Sequence, residues 1–103
     1  MLDAIKNLFG KDKTDYAGLV KEGAIILDVR NKGEYAGGHI KNSINIPVNE
    51  LQNNLSKLKN KDKTIITCCA SGMRSASAKS ILENNGYKNV LNGGGWSSLN
   101  SKI

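Results

Sequence analysis

Short, nearly unbroken apolar runs alternate along this chain with segments whose apolar residues recur at helical spacing. Residues 24–29 form the longest such run, Ala24 to Val29 broken only by Asp28, which predicts a central parallel strand covered on both faces. Asp28 and Arg30 would then emerge at its C-terminal end, the edge where open α/β sheets carry their ligand crevice. Ile65 and Ile66 between Thr64 and Thr67 predict a second buried strand. After it, Ala76, Ile81 and Leu82 share one helical face up to a stop at Gly86. Residues 64–86 therefore read as strand, tight loop, helix.

The remaining segments fit the same alternation. Thr14 is the expected N-cap of a helix with Tyr16, Leu19 and Val20 inward and Gly23 as its stop. Residues 31–36 predict a short helix broken by Gly37 and Gly38, and residues 43–46 a short strand ended by Pro47. Asn49 reads as the cap of a helix with Gln52 at the capping-box position and Leu51, Leu55 and Leu58 on one face. Residues 59–63 are a polar turn and residues 89–91 a last strand. Gly93, Gly94 and Gly95 would turn into a terminal helix around Trp96 and Leu99. This order predicts an α/β fold: a small, single-domain parallel sheet of about four to five strands with helices on both faces.

Composition narrows the class. A chain of 103 residues is one domain with a single modest core, and 39% hydrophobic with 23% charged residues fits a globular protein rather than a disordered one. Residues 1–13 read as an N-terminal helical extension and connection, with a short amphipathic helix stopped by Gly10, and residues 14–103 as the domain. That first helix carries Asp3 and Lys6, lacks the apolar core of a signal peptide and is too short to span a bilayer. A cytoplasmic location and no membrane partner are expected. The net charge of +6 comes from scattered basic residues, often Lys beside Asp or Glu. A solvated lysine-rich surface is therefore favoured over a nucleic-acid face, and no nucleic acid is expected as a partner. The positive field would raise the encounter rate with small anions, and a monomer is expected.

The two cysteines, Cys68 and Cys69, are adjacent. Neighbouring Cα atoms lie about 3.8 Å apart, below the disulfide range of about 4.4–6.8 Å, so free thiols are expected. On a strand they point to opposite faces, and Cys68 is the expected structural thiol. Cys69 opens the loop at the helix start, where unpaired N–H groups and the helix dipole favour an anion. Gly72 permits the tight turn that aims those groups inward, and Arg74 adds a forked cation. These features predict a Cys69 thiol lowered from its free value of roughly 8.5 towards 7 or below, and so a nucleophile. Arg74 is read as an anion binder, the alternative being a guanidinium tied to a carboxylate. Ser71 and Ser75 would bond the sulfur species or cap the helix. His39, the single histidine, is read as structural rather than as a base, and Trp96 as core or a packed lid. Asp28, Arg30 and Glu34 would touch substrate or form a buried ion-pair network.

Cys69-Ala70-Ser71-Gly72-Met73-Arg74-Ser75 resembles the C-x-x-G-x-R-S active-site loop of the rhodanese (thiosulfate sulfurtransferase) family. Asp28-Val29-Arg30, Glu34-Tyr35, Gly38-His39-Ile40 and Asn45-Ile46-Pro47 are similar to further signatures of that family. Gly86-Tyr87, Asn89-Val90 and Leu91-Asn92-Gly93-Gly94 are similar to its closing elements, so the likeness runs from about residue 16 to residue 99. The resemblance implies sulfur transfer through a Cys69 persulfide, with no metal or organic cofactor. Cys69 and Arg74 would be catalytic, Ala70, Ser71, Gly72, Met73 and Ser75 would bind substrate, and Asp28 and Arg30 would support them. The partners implied are a small anionic sulfur donor and a thiol or cyanide acceptor. One departure is Trp96 directly after Gly95, where the family has an aromatic residue at the equivalent of Ser98.

Two rival readings remain. Counting from Cys68 to Arg74 gives the C-x5-R spacing of a cysteine phosphatase or arsenate reductase, a loop wide enough for a tetrahedral oxyanion. Against it, no histidine precedes the loop. The other rival is a non-catalytic or carrier domain that accepts persulfide from a partner.

Overall fold

The computed structural model describes residues 14–103. The helix read in residues 1–9 and the extension through residue 13 lie outside the described residues. From the first described helix the order is α1 (Tyr16–Lys21), β1 (Ile25–Asp28), α2 (Lys32–Ala36), β2 (Ile44–Asn45) and α3 (Val48–Leu51). There follow a 3-10 turn (Leu55–Lys57), β3 (Ile65–Cys69), α4 (Met73–Asn84), β4 (Val90–Gly95) and α5 (Trp96–Asn100). All pairings are parallel in a four-stranded sheet of order β2-β1-β3-β4. The two apolar runs thus occupy the two inner positions, where both faces are covered and continuous hydrophobicity is satisfied.

Strand alternation sorts the core into two layers. Leu27, Val29, Ile65 and Cys69 face α3, the 3-10 turn and α4, packing with Leu51, Leu58, Ala78, Leu82 and Tyr87. Ile26, Ile66 and Cys68 face the other way and pack with Tyr16, Ile40 and Leu99. Among the described residues no helix is long and apolar enough to cross a membrane.

Several local expectations are corrected. The N-cap of α1 is Asp15, not Thr14: its carboxylate accepts Gly18 N–H at 2.9 Å. α3 begins one residue after Pro47, whose own conformation is extended, and makes no side-chain cap, so Asn49 lies inside the helix rather than before it. Leu55 is then in a separate 3-10 turn, although Leu51, Leu55 and Leu58 reach the same layer. On α4 the inward residues are Ser75, Ala78 and Leu82, while Ala76 is exposed.

The largest difference is at the end of β4, where Gly93, Gly94 and Gly95 continue the strand instead of forming a turn. Close packing explains it. A Cβ at Gly93 would lie 2.8 Å from Ile66 Cγ2, Leu99 Cδ2 and the Thr67 carbonyl oxygen. Only a residue without a side chain lets β4 run there. Beyond Thr67, β4 advances from Asn92 to Gly95 while β3 advances only to Cys69, a bulge that bends β4 around the loop after β3.

Candidate active site

The loop between β3 and α4 is held from three sides. β3 delivers Cys69 at its C-terminal end. Gly72, at φ +112°, turns the chain into α4, a conformation that strains any residue with a Cβ. The glycine end of β4 lies behind the loop, and a Cβ at Gly95 would come within 3.0 Å of the Ala70 carbonyl oxygen.

This arrangement aims amides at one sulfur. Gly72 N–H donates to Cys69 Sγ at 2.8 Å and Ser75 N–H donates to it at 3.3 Å. The first helical bond runs from Ala76 N–H to Gly72 O, so the amides before it have no partner within the helix. The Cys69 sulfur takes up two of these amides, those of Gly72 and Ser75. Cys69 is 1% exposed, which puts the thiol on the floor of the loop with exposed Ala70, Ser71 and Met73 around it.

Cys68 has the opposite environment. Its side chain lies in the other layer, beside the Asp28–Arg30 pair, and burial followed by the Asp28 carboxylate pushes its thiol from 9.0 up to about 12. It cannot supply the longer Cys-to-Arg loop from that face.

Ser75 is buried, and its hydroxyl is committed beneath the loop. It donates to Asn92 Oδ1 at 2.6 Å and lies 2.7 Å from Thr67 Oγ1. Asn92 Oδ1 also accepts Gly94 N–H at 2.9 Å, tying α4 to the bulge of β4. Thr67 and Asn92 were not expected at the site. Thr67 is legible in retrospect, since it stands two residues before Cys69 on the same face of β3. Asn92 enters through its pairing opposite Thr67, which has no local signal.

The charged residues resolve into two pairs. Arg30 wraps Asp28, with Nε at 3.0 and 3.1 Å from the two carboxylate oxygens and Nη2 at 2.7 Å from Oδ2. The same guanidinium donates to Gly38 O at 2.7 Å and Glu34 O at 3.3 Å, and stacks 4.6 Å from the Trp96 ring. Trp96 is thus the packed lid over a buried pair. Asp28 and Arg30 are scaffold for the loop's neighbours, and the Asp28 bond raises the pKa of Arg30.

Arg74 takes the carboxylate-tied alternative. Its Nη1 and Nη2 donate to Glu34 Oε1 and Oε2 at 2.7 and 3.0 Å, a two-bond fork between α4 and α2. Those bonds, helped by Asn31 N–H, hold the Glu34 carboxyl at about 2 instead of 4.5. His39 is exposed. It stacks on Tyr35 at 3.7 Å with Nδ1 2.7 Å from Tyr35 O, a structural role as expected. Among the described residues no group of three or more His, Cys, Asp or Glu could hold a metal ion.

A family model described as Rhodanese-like domain matches residues 6–102. The tRNA sulfurtransferase of Thermoplasma acidophilum is 35% identical over 69 residues, 67% of this chain and 14% of that protein. The tRNA uridine(34) hydroxylase of Erwinia tasmaniensis is 35% identical over 72 residues, 65% of this chain and 21% of that protein. The chain therefore spans about a fifth or less of these curated relatives. Among solved structures, a rhodanese with anions from E. coli superposes with TM-score 0.70 at 32% identity, over 74% of this chain and 91% of that one.

Proposed function

We propose, from the premise that this chain belongs to the rhodanese-like sulfurtransferase family, that Cys69 is the residue that carries the transferred sulfur. The observation that supports this most directly is the pair of amide hydrogen bonds to its Sγ at the start of α4. They stabilise negative charge on the sulfur both as the attacking thiolate and as the persulfide that follows.

With thiosulfate, Cys69–S⁻ attacks the outer sulfur, an S–S bond forms to Sγ, and sulfite leaves with the electron pair of the bond that breaks. With a persulfide, Cys69–S⁻ + R–S–SH gives Cys69–S–SH + R–S⁻. A thiolate or cyanide acceptor then attacks the outer sulfur and restores Cys69–S⁻. A donor's sulfonate would have to reach Arg74 in competition with Glu34.

The buried, protonated Cys68 on the opposite face argues against phosphatase chemistry through Cys68-to-Arg74 spacing. A second reading is favoured by the relatives, in which a similar stretch is one part of a longer protein. In it the domain receives persulfide from a partner protein and relays it.

Wild type, Cys69→Ser and Cys68→Ser should be incubated with thiosulfate, polysulfide, glutathione persulfide and mercaptopyruvate, with acceptor turnover and intact mass recorded. Sulfur transfer predicts a gain of about 32 Da on Cys69, no turnover in Cys69→Ser, and near-wild-type turnover in Cys68→Ser. Turnover retained by Cys69→Ser refutes the assignment. Persulfide gained only from a partner enzyme, with negligible thiosulfate activity, selects the relay.

A further inference from the structure

The Glu34–Arg74 fork takes no part in the bond-making steps above. Arg74 holds the position from which a cation could grip the far end of an anionic donor. Each of its terminal nitrogens donates one N–H to the two oxygens of one carboxylate, so its charge is matched although three of its five N–H groups lie outside the fork. The neighbouring guanidinium, Arg30, is likewise consumed by Asp28. Of the two arginines at this edge of the sheet, each is thus matched by a carboxylate, and the net positive charge of the chain resides on lysines rather than here. The loop amides still offer stabilisation to a single sulfur, whereas the fork leaves Arg74 little net charge to offer a second anionic group.

Resting on the sulfur-transfer reading, we propose that Glu34 is a positioning residue that sets donor specificity, holding Arg74 so that Cys69 accepts sulfur from persulfides, whose leaving sulfur bears carbon, rather than from thiosulfate, whose leaving sulfur bears three oxygens. α2 keeps Glu34 in place by more than the fork. Its Oε1 accepts Asn31 N–H at 3.1 Å while Asn31 Oδ1 accepts Glu34 N–H at 2.8 Å, a capping box that fixes the carboxylate at the first turn. The Glu34 carbonyl oxygen is in turn gripped by Arg30. A sulfonate approaching Arg74 therefore meets a guanidinium whose charge is already matched, with a preorganised carboxylate of like sign beside it. A persulfide offering only its terminal sulfur meets no such competitor. Its transfer forms the Sγ–S bond, breaks the donor's S–S bond and releases R–S⁻ with the electron pair.

Glu34→Gln is the informative substitution, because glutamine preserves the capping box and removes the competing charge. The ratio of kcat/KM for thiosulfate to kcat/KM for glutathione persulfide should rise by up to about fivefold, mostly through the thiosulfate KM, in line with the modest worth of an ion pair at a partly exposed site. Sulfate, an oxyanion that neither donates nor accepts sulfur, should become a correspondingly stronger inhibitor competitive with thiosulfate. Glu34→Ala should shift the ratio in the same direction, which separates charge from glutamine-specific packing. An unchanged ratio in both variants, or a parallel loss with both donors, overturns the proposal while leaving sulfur transfer intact. Absence of persulfide on Cys69 of the wild type with every donor overturns both.

Discussion

Asp28→Asn tests whether the buried Arg30 pair holds the C-terminal edge of the sheet together. The substitution is isosteric and leaves Oδ1 able to accept Arg30 N–H, which it now does at 3.0 Å. What changes is charge and one donor set: an amide nitrogen replaces the oxygen that Nη2 meets at 2.7 Å, so two donors face each other. Arg30 stays charged, with its side chain 5% exposed and Asp28 fully enclosed. Its remaining acceptors are that neutral amide oxygen and two backbone carbonyls, and its remaining neighbour is the Trp96 face. Stranding one member of a buried ion pair costs about 3–5 kcal/mol, a large share of the roughly 5–15 kcal/mol that keeps a domain of this size folded. At about 4–8 °C per kcal/mol, the melting temperature should fall by roughly 12–40 °C. Urea melts of wild type, Asp28→Asn, Arg30→Met and the double variant complete the cycle. The double variant should be more stable than Asp28→Asn, since it contains no unpaired buried charge. A loss below about 0.5 kcal/mol in Asp28→Asn, the level of an ordinary surface change, would refute the reasoning.

Gly93→Ala should destabilise the domain by about 1–3 kcal/mol, because one of the three atoms a Cβ would press at 2.8 Å is a backbone oxygen that cannot rotate away. An unaltered denaturant midpoint would show that β4 has room. In Cys69→Ser, the surviving thiol should fail to react with a disulfide reagent near pH 8 until denaturant is added, given the burial that keeps Cys68 protonated to about 12. The same shift makes stability fall as pH rises from 9 towards 12, because the unfolded chain releases that proton first, and Cys68→Ala should flatten the decline. Carboxyl carbon shifts should place the Glu34 midpoint near 2, so the stability it contributes is present above about 4.5 and lost as pH falls through about 2. Arg74→Met should return the midpoint towards the ordinary value; a midpoint near 4.5 in the wild type would mean that no fork forms in solution.

The features legible in the sequence are those written locally. Continuous burial of β1 and β3 follows from their unbroken apolar runs, the opposite fates of Cys68 and Cys69 from alternation between two layers, and the tight entry into α4 from Gly72. Cap residues were harder to place, because Asp15 and Thr14 are chemically near-equivalent and the extended backbone at Pro47 moves a helix start by a residue or two. Contacts that join distant segments left no trace. Glu34 and Arg74 stand 40 residues apart, and Asn92 reaches Ser75 only through the register of two parallel strands. The glycine run at the end of β4 carries the composition of a turn. Its continuation as strand rather than turn is dictated by packing against Ile66 and Leu99, which no neighbouring residue reveals.

The two thiols differ by parity alone. Inserting a single residue between Ile66 and Thr67 would, if the strand kept its pairing at Ile65, rotate everything downstream by half a period and turn the second thiol to the face of the sheet that carries Asp28. Chemistry in this protein is thus addressed by counting along a strand: an even or odd step decides which sulfur meets the ring of amides and which is locked away as a neutral filler.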